Sequence, residues 1–547
     1  MHVRRMKTDR RNWRQLVVAL LLLWGCLSGR ANVYATNIKL NGSTNNAAVS
    51  TNNAAARISY ILNEPATAGV TVRIVSNGVP LWTTNLAGGM AGTGAGSNSL
   101  TWDGTDQTGA GIAPGIYRVS ITAAAAGYAA WTNITDDSAI FSVPDPISIA
   151  VNRNTNSPYY GRVFVGNDTP YYDNNAGICK FNADGSPADE GGFSQSYPWY
   201  NNPDYFYSPW KIAVAEDDTV YISDWEDDGP VLAFDEVIST NYLTVLGSGN
   251  YSYSGQLLSG PCVVGGGAGT RIWMSDVNWS GGSVGVVEWD LAAGGVLAPT
   301  DTGTVVVGIS PSGVNVCPWD MSVDASGNIY VIQCLDGVLY PEYYSTNRLF
   351  CFPPHPGNGP PDLTPTWSLN STNLSLENAV DIAVDPTGLL LAVAVNGYNN
   401  GGDIFQLTNG AVNLYCATNG ALAARLGTND EFWGVAWDNV GNLYATDLAA
   451  SVWRAYSPPG ANQAATTAAP ILQVYDTLTQ PILSAPAAVA GQFGFTLTGQ
   501  SNVTYIIQGS LDLANWTPVA TNYATVDVRT VTLPAPGFAA FFRAVVP

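Results

Sequence analysis

Residues 208–235 read SPWKIAVAEDDTVYISDWEDDGPVLAFD, and three short apolar runs in this stretch are separated by acidic and polar turns. The runs are residues 212–214, 220–222 and 231–234. Apolar runs of this length, bounded by turn residues, are typical of strands that are buried on both faces. The stretch therefore predicts three consecutive, paired β-strands.

The same pattern recurs from residue 146 to residue 478. First strands are predicted at 147–151, 211–215, 261–265, 320–324, 381–385 and 434–438. A partner strand follows each of them, and third strands are predicted at 177–182, 231–235, 285–290, 348–352, 403–407 and 452–456. Repeats of roughly 40–60 residues with several strands each are typical of propeller blades. We therefore predict a six-bladed β-propeller over residues 146–478.

Two of the predicted turns support a resemblance to a known repeat. Residues 324–330, DASGNIY, and 438–444, DNVGNLY, resemble NHL and related six-bladed propeller repeats. The resemblance implies that Asp and Gly form the tight turn between the first and second strands of a blade.

Composition agrees with an all-β chain of more than one domain. The sequence has 547 residues, of which 57 are Gly and only 12% are charged, and no sustained helical period follows the first 35 residues. Chains of this length usually divide into several domains.

The N-terminal region resembles an export signal. Residues 1–15 are basic, residues 16–29 are apolar, and Val33-Tyr34-Ala35 offers a small-residue cleavage site. We interpret residues 1–35 as a secretory signal peptide. The alternative is an uncleaved membrane anchor, but the apolar run is about 12 residues and a membrane span needs ~20.

Cleavage makes the chain strongly acidic. The leader contains seven Lys and Arg residues and one acidic residue, so 21 − 7 = 14 basic and 42 − 1 = 41 acidic residues remain, a net charge of −27. Such a charge disfavours nucleic acid and anionic lipid as partners. The sequence therefore predicts a protein that is secreted or on the cell surface, with no nucleic-acid partner and no membrane span after cleavage.

Residues 36–125 have the alternating pattern of a small β-sandwich. Residues 96–121, GSNSLTWDGTDQTGAGIAPGIYRVSI, resemble the FlgD-type immunoglobulin-like domain, with its Trp-Asp-Gly turn, Asp-x-x-Gly turn and Gly-x-Tyr-x-Val strand. The resemblance implies a fold rather than a chemistry. We expect Trp102 to anchor the core and Asp103 to form a turn.

Two further regions flank the propeller. Residues 126–145 are a linker, or instead contribute a strand to the propeller. Residues 479–547 alternate as strands of a small C-terminal β-domain. Residues 505–516, YIIQGSLDLANW, resemble C-terminal modules of secreted verrucomicrobial-type proteins, a resemblance that implies no function.

Few catalytic arrangements fit the sequence. After cleavage one histidine, His355, remains, which argues against nucleophilic triads and imidazole zinc sites. Neither a Walker loop nor a dinucleotide-binding fingerprint is present. Acid–base chemistry by carboxylates remains open.

Acidic residues cluster after the second strand of the second blade. Hard cations such as calcium need six to eight oxygen ligands, and close carboxylates are costly to keep ionised without a cation. A solvated acidic loop is the alternative to a calcium site. The candidate ligands are Asp224, Glu226, Asp227 and Asp228.

Aromatic residues cluster with Asn and Asp at residues 196–210, SYPWYNNPDYFYSPW. Tyr and Trp stack on apolar faces of ligands while polar neighbours bond hydroxyl groups. Packing of this loop onto the neighbouring blade is the alternative. The candidate ligand-binding residues are Tyr197, Trp199, Tyr200, Asn201, Asn202, Asp204, Tyr205, Tyr207 and Trp210.

Six cysteines follow the leader. The turn at 325–327 brings Cys317 near Cys334 across a hairpin, so we predict a disulfide between them, which secretion permits. We expect Cys179, Cys262, Cys351 and Cys416 to be buried strand thiols.

Two functions remain open. The first is a recognition or scaffold protein whose propeller face binds an extracellular glycan or protein, with no required cofactor and calcium as the one candidate. The second is a metal-dependent enzyme of the gluconolactonase or propeller-lyase type, which resembles this chain in fold alone. Such enzymes hold a divalent ion on the axis, and the acids beside the predicted first strands are Asp320, Asp324, Asp381, Asp385 and Asp438.

Overall fold

The computed structural model describes residues 32–545 apart from short internal gaps. The gaps are residues 44–46, 51–54, 169–176, 189–196, 200–208, 225–229, 240, 248–249, 251–259, 278–282, 292–296, 299–300, 309–317, 334–347, 358, 371–377, 397, 400–406, 409, 429, 461–464, 476–480, 490–491, 500–502, 525, 527 and 535–540. Regular structure in the described residues is β-strand, apart from two 3₁₀ turns at Ala139–Phe141 and Gly267–Gly269. Over the same residues no helix has the length and apolar character needed to cross a membrane.

The chain begins with a two-sheet β-sandwich. Its strands are β1 (Ala35–Leu40), β2 (Ala47–Ser50), β3 (Ala56–Leu62), β4 (Gly69–Ser76), β5 (Val79–Leu86), β6 (Gly96–Trp102) and β7 (Gly115–Ala124). One sheet has the order β1-β3-β6, and the other has the order β2-β34-β7-β4-β5, in which β34 is Ala465–Tyr475. Apolar residues on alternate positions of β3, β4 and β7 form the core between the sheets.

Trp102 and Asp103 have the roles that the sequence predicts. The Trp102 side chain is fully buried, and its Nε1 donates to the carbonyl of Thr105 at 2.8 Å. The Asp103 carboxylate accepts from the backbone N–H of Thr105 at 3.1 Å, which closes an Asx turn.

After a two-residue strand, β8 (Thr132–Asn133), six four-stranded antiparallel sheets account for most of the described residues up to 457. The first sheet consists of β9 (Pro146–Val151), β10 (Val163–Asn167), β11 (Gly177–Phe181) and β12 (Tyr197–Pro198). The second consists of β13 (Pro209–Val214), β14 (Val220–Asp224), β15 (Val231–Phe234) and β16 (Tyr242–Leu246). The third consists of β17 (Cys262–Val264), β18 (Arg271–Val277), β19 (Ser283–Asp290) and β20 (Thr304–Gly308).

The next sheet is β21 (Pro318–Val323), β22 (Ile329–Gln333), β23 (Arg348–Phe352) and β24 (Trp367–Asn370). The fifth is β25 (Ala379–Val384), β26 (Leu390–Val395), β29 (Ala411–Cys416) and β30 (Leu422–Leu426), with a small hairpin of β27 (Tyr398–Asn399) and β28 (Leu407–Thr408) inserted. The sixth is β31 (Phe432–Trp437), β32 (Leu443–Asp447), β33 (Val452–Ser457) and the earlier strand β8.

The first strands of these sheets contact one another in a closed ring, in which β31 of the last sheet packs against β9 of the first. Because β8 precedes β9 in the chain and completes the last sheet, the two ends of the ring are joined through one sheet. This is the arrangement of a β-propeller. The linker thus contributes a strand, the second of the two interpretations given above.

Asp residues form the turns between first and second strands. Asp324 Oδ1 accepts from the backbone N–H groups of Ser326 and Asn328, both at 2.9 Å, and Gly327 adopts φ +85°. Asp438 makes the same contacts with Val440 and Asn442. Glycine adopts such a backbone conformation most readily, and Asp218 takes the equivalent position in the second sheet at φ 74°.

The structure differs from the sequence prediction at three boundaries. Residues 465–475, predicted as part of the propeller, form β34 and pair with β7 and β2 of the sandwich. The third strand of the fifth sheet is β29, not 403–407. Val33 and Tyr34 are fully buried and Ala35 begins β1, so cleavage after Ala35 would remove part of the sandwich.

The C-terminal domain has two three-stranded sheets. Its strands are β35 (Ile482–Val489), β36 (Gln492–Thr498), β37 (Val503–Ser510), β38 (Thr517–Ala524), β39 (Val528–Pro534) and β40 (Phe541–Val545). The sheet orders are β35-β36-β39 and β38-β37-β40, with Phe495, Leu497 and Tyr505 buried between them.

Candidate functional site at the propeller axis

Five of the six first strands carry a β-bulge at the same position. The register skips one residue near the start of each of these strands, and the skipped residues are Ile147, Trp210, Trp319, Val380 and Trp433. A bulge redirects the side chains on either side of it. The repeated bulge therefore determines which side chains face the axis at this end of the ring.

Three of the bulged residues are tryptophans from alternate sheets, and they meet. The rings of Trp210 and Trp319 are 6.4 Å apart at 83°, and those of Trp210 and Trp433 are 6.1 Å apart at 74°. These are edge-to-face contacts, the favoured geometry of aromatic pairs. The three indoles form an aromatic cluster beside the next layer of side chains.

That next layer contains a buried ion pair. Lys211 Nζ lies 2.9 Å from Asp381 Oδ2, and the two side chains are 5% and 11% exposed. Lys211 is in the second sheet and Asp381 in the fifth, so the pair spans the ring. Lys211 Nζ also donates to the carbonyl of Trp433 at 2.9 Å and lies 5.5 Å from the Trp210 ring centroid.

The axial carboxylates also bind the inner edges of neighbouring strands. Asp320 Oδ2 accepts from the N–H of Ile382 at 3.2 Å, and Asp381 Oδ2 accepts from that of Val435 at 3.1 Å. An innermost strand has a row of N–H groups with no strand partner, and buried N–H groups need acceptors. Asp320 and Asp381 supply them from one sheet to the next.

Asp320 favours the protonated form. Burial raises the pKa of its carboxyl well above the usual range, and the charge of Asp381 and a hydrogen bond with Asp381 raise it further, although Lys211 opposes them. Asp381 is the carboxylate in direct contact with the ammonium group. A neutral Asp320 therefore lies beside the Lys211–Asp381 ion pair.

An axial cavity of about 150 Å³ adjoins this cluster. Cys262 and Arg153 contribute to its lining. Burial raises the pKa of the Cys262 thiol to about 12, so the thiol is protonated at neutral pH. The Arg153 side chain is exposed along the cavity, and desolvation by the surrounding protein lowers the pKa of its guanidinium.

In the part of the chain that the structure describes, no three His, Cys, Asp or Glu side chains are arranged to hold a metal ion. Of the acids beside the first strands, Asp324, Asp385 and Asp438 accept N–H groups within their own turns. Asp320 and Asp381 are left on the axis, and both are engaged by the contacts above.

The structure places two predicted ligand-binding residues in the core. Trp199 is fully buried and donates its indole N–H to the carboxylate of Asp224, and Trp210 is 4% exposed within the aromatic cluster. Both rings thus pack between strands, as in the alternative interpretation given above, and their contact with a ligand stays a prediction. Tyr197 lies in β12 opposite Ile178. Tyr200, Asn201, Asn202, Asp204, Tyr205 and Tyr207 lie outside the described residues.

The predicted calcium ligands are described only at Asp224. This carboxylate is 3% exposed and accepts the indole N–H of Trp199, so it serves the core rather than an exposed site. Glu226, Asp227 and Asp228 lie outside the described residues. They remain predictions.

The predicted disulfide also lies outside the described residues, because neither Cys317 nor Cys334 is among them. Their neighbours Pro318 and Gln333 are paired across β21 and β22. Cys179 and Cys351 are free and buried, as predicted, Cys416 is buried as well, and Cys262 is free and partly buried.

Sequence reasoning missed Lys211 as a site residue. The signal was present, because Lys211 follows Pro-Trp at the start of one first strand and Asp320 follows Pro-Trp at the start of another. Opposite charges at equivalent positions of different blades face each other only when the ring closes. A search restricted to acids and aromatics does not detect this pairing.

No protein-family model matches the chain, and no curated protein matches it. Among solved structures, one of the Trichoderma reesei carbohydrate-active enzymes of family AA12 is 12% identical, with a TM-score of 0.37, over 61% of this chain and 97% of that one. A gluconolactonase from Xanthomonas campestris is 12% identical, with a TM-score of 0.38, over 58% and 88%. A Bacteroides thetaiotaomicron protein of unknown function is 10% identical, with a TM-score of 0.36, over 79% and 99%. We draw no functional conclusion from similarity at this level.

Proposed function

We propose that this chain is a secreted or cell-surface recognition protein, in which a six-bladed propeller binds an extracellular glycan or protein and does not catalyse a reaction. The immunoglobulin-like sandwich and the C-terminal β-domain flank the propeller as spacers. A net charge of 14 − 41 = −27 after export favours neutral or cationic partners and disfavours nucleic acid.

The observation that carries this proposal is that the axial carboxylates are already bound by other groups of the protein. Asp381 is bound to Lys211 at 2.9 Å and to the Val435 N–H at 3.1 Å, and Asp320 is bound to the Ile382 N–H. A metal-dependent propeller enzyme of the gluconolactonase type needs free oxygen ligands on the axis. Here Asp381 is already paired with an ammonium group, Asp320 is hydrogen-bonded to a neighbouring strand, and three indoles pack beside them.

The ligand would bind at the end of the propeller where the first strands begin. Strand β13 begins at this end directly after residues 200–208, and the flanking indoles Trp199 and Trp210 are buried. Residues 200–208 between them supply Tyr200, Asn201, Asn202, Asp204, Tyr205 and Tyr207 as the proposed contacts. Calcium, if used at all, would be bound by Glu226, Asp227 and Asp228 rather than on the axis.

A glycan array probed with chain 32–547, with calcium and with chelator, tests this function. We expect saturable binding that falls at least tenfold, about 1.4 kcal/mol, when Tyr205 is replaced by alanine, because a stacked ring is lost. Tyr159→Ala is the matched control, since Tyr159 follows the opposite end of β9. Turnover of a sugar lactone that chelator abolishes would contradict the proposal and favour the enzyme.

A further inference from the structure

The first described residues are buried between the sandwich and the propeller. Asn32, Val33 and Tyr34 are 1%, 0% and 0% exposed. The carbonyl of Asn32 accepts from Asn63 Nδ2 of the sandwich at 2.9 Å and from Asn442 Nδ2 of the sixth sheet at 2.8 Å. Asn63 Oδ1 in turn accepts from the N–H of Tyr34 at 2.9 Å. Residue 32 thus joins the two domains.

Two buried acceptors at this junction lack a donor. Asn32 Oδ1 and Asn442 Oδ1 are both inaccessible to solvent and have no hydrogen-bond partner. Buried polar atoms almost always make a hydrogen bond, and a buried polar atom without one lowers folding stability by about 1–3 kcal/mol. Two such acceptors on residues that contact each other indicate that donor groups belong at this junction.

A buried carboxyl group lies in the same network. Asn442 Nδ2 donates to Asp438 Oδ2 at 2.7 Å as well as to the Asn32 carbonyl, so one amide bridges the two. Asp438 is 0% exposed, and burial raises the pKa of its carboxyl to about 7. A positive group in this network would both neutralise Asp438 and supply the missing donors.

The equivalent turn in the fourth sheet provides a comparison. Asp324 accepts from the N–H and the Nδ2 of Asn328 at 2.9 and 2.8 Å, the same contacts that Asp438 makes with Asn442. Asn328 is only half-buried, and its side-chain oxygen is not an unmet buried acceptor. The unmet acceptors arise in the sixth sheet, where Asn32 covers the turn.

The backbone nitrogen of Asn32 can itself become the donor. Gly29-Arg30-Ala31 places small residues one and three positions before the Ala31–Asn32 bond, the pattern of a leader cleavage site. In the intact chain this nitrogen is a neutral amide with one N–H. A free α-amino group, with a pKa near 8, is an ammonium with three donors at neutral pH.

We propose that the leader is cleaved between Ala31 and Asn32, and that the new α-ammonium group of Asn32 is bound by the side-chain oxygens of Asn32 and Asn442, with Asp438 as counter-ion. A leader endopeptidase adds one water across the bond; Ala31 keeps the oxygen as a carboxylate, and the Asn32 nitrogen takes up protons. The proposal rests on export, proposed above, for its cleavage step. Cleavage during export would thereby stabilise the contact between the sandwich and the propeller.

Two purified chains test the ammonium site independently of export. One begins at Asn32, released from a fusion without extra residues, and the other carries Gly-Ser before Asn32. We expect the first to melt at least about 2 °C higher at pH 7, the size of shift that a 1 kcal/mol change produces in a large domain. Its α-amine should also react with an acylating reagent much more slowly when folded than in urea.

Matched variants identify the counter-ion. Asp438→Asn should abolish the difference in melting temperature between the two chains, whereas Asp324→Asn, in the equivalent turn, should leave it unchanged. Equal melting temperatures of the two parent chains, or fast acylation of the folded chain, would overturn the proposal and point to an ordered water at the two amide oxygens.

The N-terminus of the exported protein tests the cleavage step. A start at Asn32 in the medium or on the cell surface supports it, and an exported chain that starts elsewhere overturns it. Retention of the uncleaved chain inside the cell would contradict the proposed secretion instead. The comparison of the two purified chains distinguishes these failures.

Discussion

Lys211 is a buried ammonium group whose position depends on its neighbours in the ring. A Cβ atom on Gly260 would lie 2.7 Å from Lys211 Cβ, so the glycine leaves room for the lysine side chain. The ammonium then reaches Asp381 on the opposite side of the axis. Burial of a charge is costly unless it is paired, so this lysine and its partner stabilise the fold only together.

Replacement of Lys211 by methionine should therefore be strongly destabilising. Met has a similar length but leaves the Asp381 charge unpaired, and we expect a loss of about 3–5 kcal/mol in the free energy of unfolding, measured in urea at pH 7. The double variant Lys211→Met/Asp381→Asn should recover much of that loss. Arg271→Met is the control, because the Arg271–Glu288 pair is exposed and should cost less than about 1 kcal/mol. If Lys211→Met and Arg271→Met lose the same free energy of unfolding, the axial ion pair does not contribute to stability.

Asp438 makes stability depend on pH in a direction that can be worked out. Its folded pKa of about 7 is above the usual aspartate value of 3.8, so between these values the folded chain retains a proton that the unfolded chain loses. Stability from this group is then present below about pH 4 and falls as pH rises to about 7. The titratable groups that interact with it are Tyr34, Tyr160, Tyr444 and Arg153, and burial raises the pKa of the three phenols, so they stay neutral in this range.

We expect the Gly-Ser-extended chain to lose stability from pH 4 to pH 7 relative to its Asp438→Asn variant, by on the order of 4 kcal/mol. The comparison uses urea unfolding at each pH, and the difference between variants removes the contributions of other carboxyl groups. The chain that begins at Asn32 should show a smaller loss, because its ammonium favours the charged carboxylate. If the difference in unfolding free energy between the extended chain and its Asp438→Asn variant does not change with pH, Asp438 is ionised even without the ammonium.

At the scale of elements, the local pattern was sufficient where strands pair with their neighbours in sequence. The first strand of every sheet was predicted within a few residues of its observed bounds, with a partner strand directly after it, because apolar runs and the turns between them are encoded locally. Elements that pair with distant strands were predicted less well: β8 only as one of two interpretations of residues 126–145, and β34 as part of the propeller. β8 has two residues and β34 is rich in Ala and Thr, so neither carries a pattern that identifies its partner. Their pairing depends on closure of the whole chain.

The short strand β8 is supported by an ion cluster on its partner β33. Arg454 contacts Asp137 at 2.9 Å, Asp430 at 2.8 Å and Asp447 at 2.7 Å, and the Asp447 side chain is fully buried. Burial alone would lower the pKa of this guanidinium, but hydrogen bonding to Asp137 and the nearby carboxylates raise it instead. The cluster thus ties the segment after β8 to the last sheet.

Arg454→Met should loosen the closure of the ring. It leaves buried Asp447 without its cation, so we expect a loss of about 3–5 kcal/mol and faster amide exchange in β8 and β33. Asp137→Asn is the control, since Asp137 is 42% exposed and its loss should cost roughly 1 kcal/mol. If exchange in β33 is unchanged in Arg454→Met, the cluster does not support the closure.

At the scale of the whole molecule, the sandwich and the propeller share structure at two places, before the first sandwich strand and after the last propeller sheet. Asn32–Tyr34 precede the sandwich and are bound by the sixth sheet, while β34 follows the propeller and pairs inside the sandwich. Buried Glu64 of the sandwich accepts from Tyr128 at 2.7 Å and from Ser457 at 3.4 Å. The axial site was likewise only half predicted: Asp320 and Asp381 were candidates as isolated acids, but their pairing with Lys211 requires opposite sheets of the ring.

This sharing of strands predicts where the chain can be shortened. β34 lies between β2 and β7, so a chain of residues 32–464 loses a strand from the interior of a sandwich sheet and leaves the edge of β7 bare. We expect 32–464 to show fast amide exchange in β3 and β6, whose apolar residues pack on that sheet, while β25 and β26 of the propeller stay protected. The chain 32–478 retains β34 and is the matched control, with full protection in both domains. Equal protection of β3 and β6 in the two truncated chains would mean that the sandwich is complete without its C-terminal strand, and that residues 465–475 are dispensable to it.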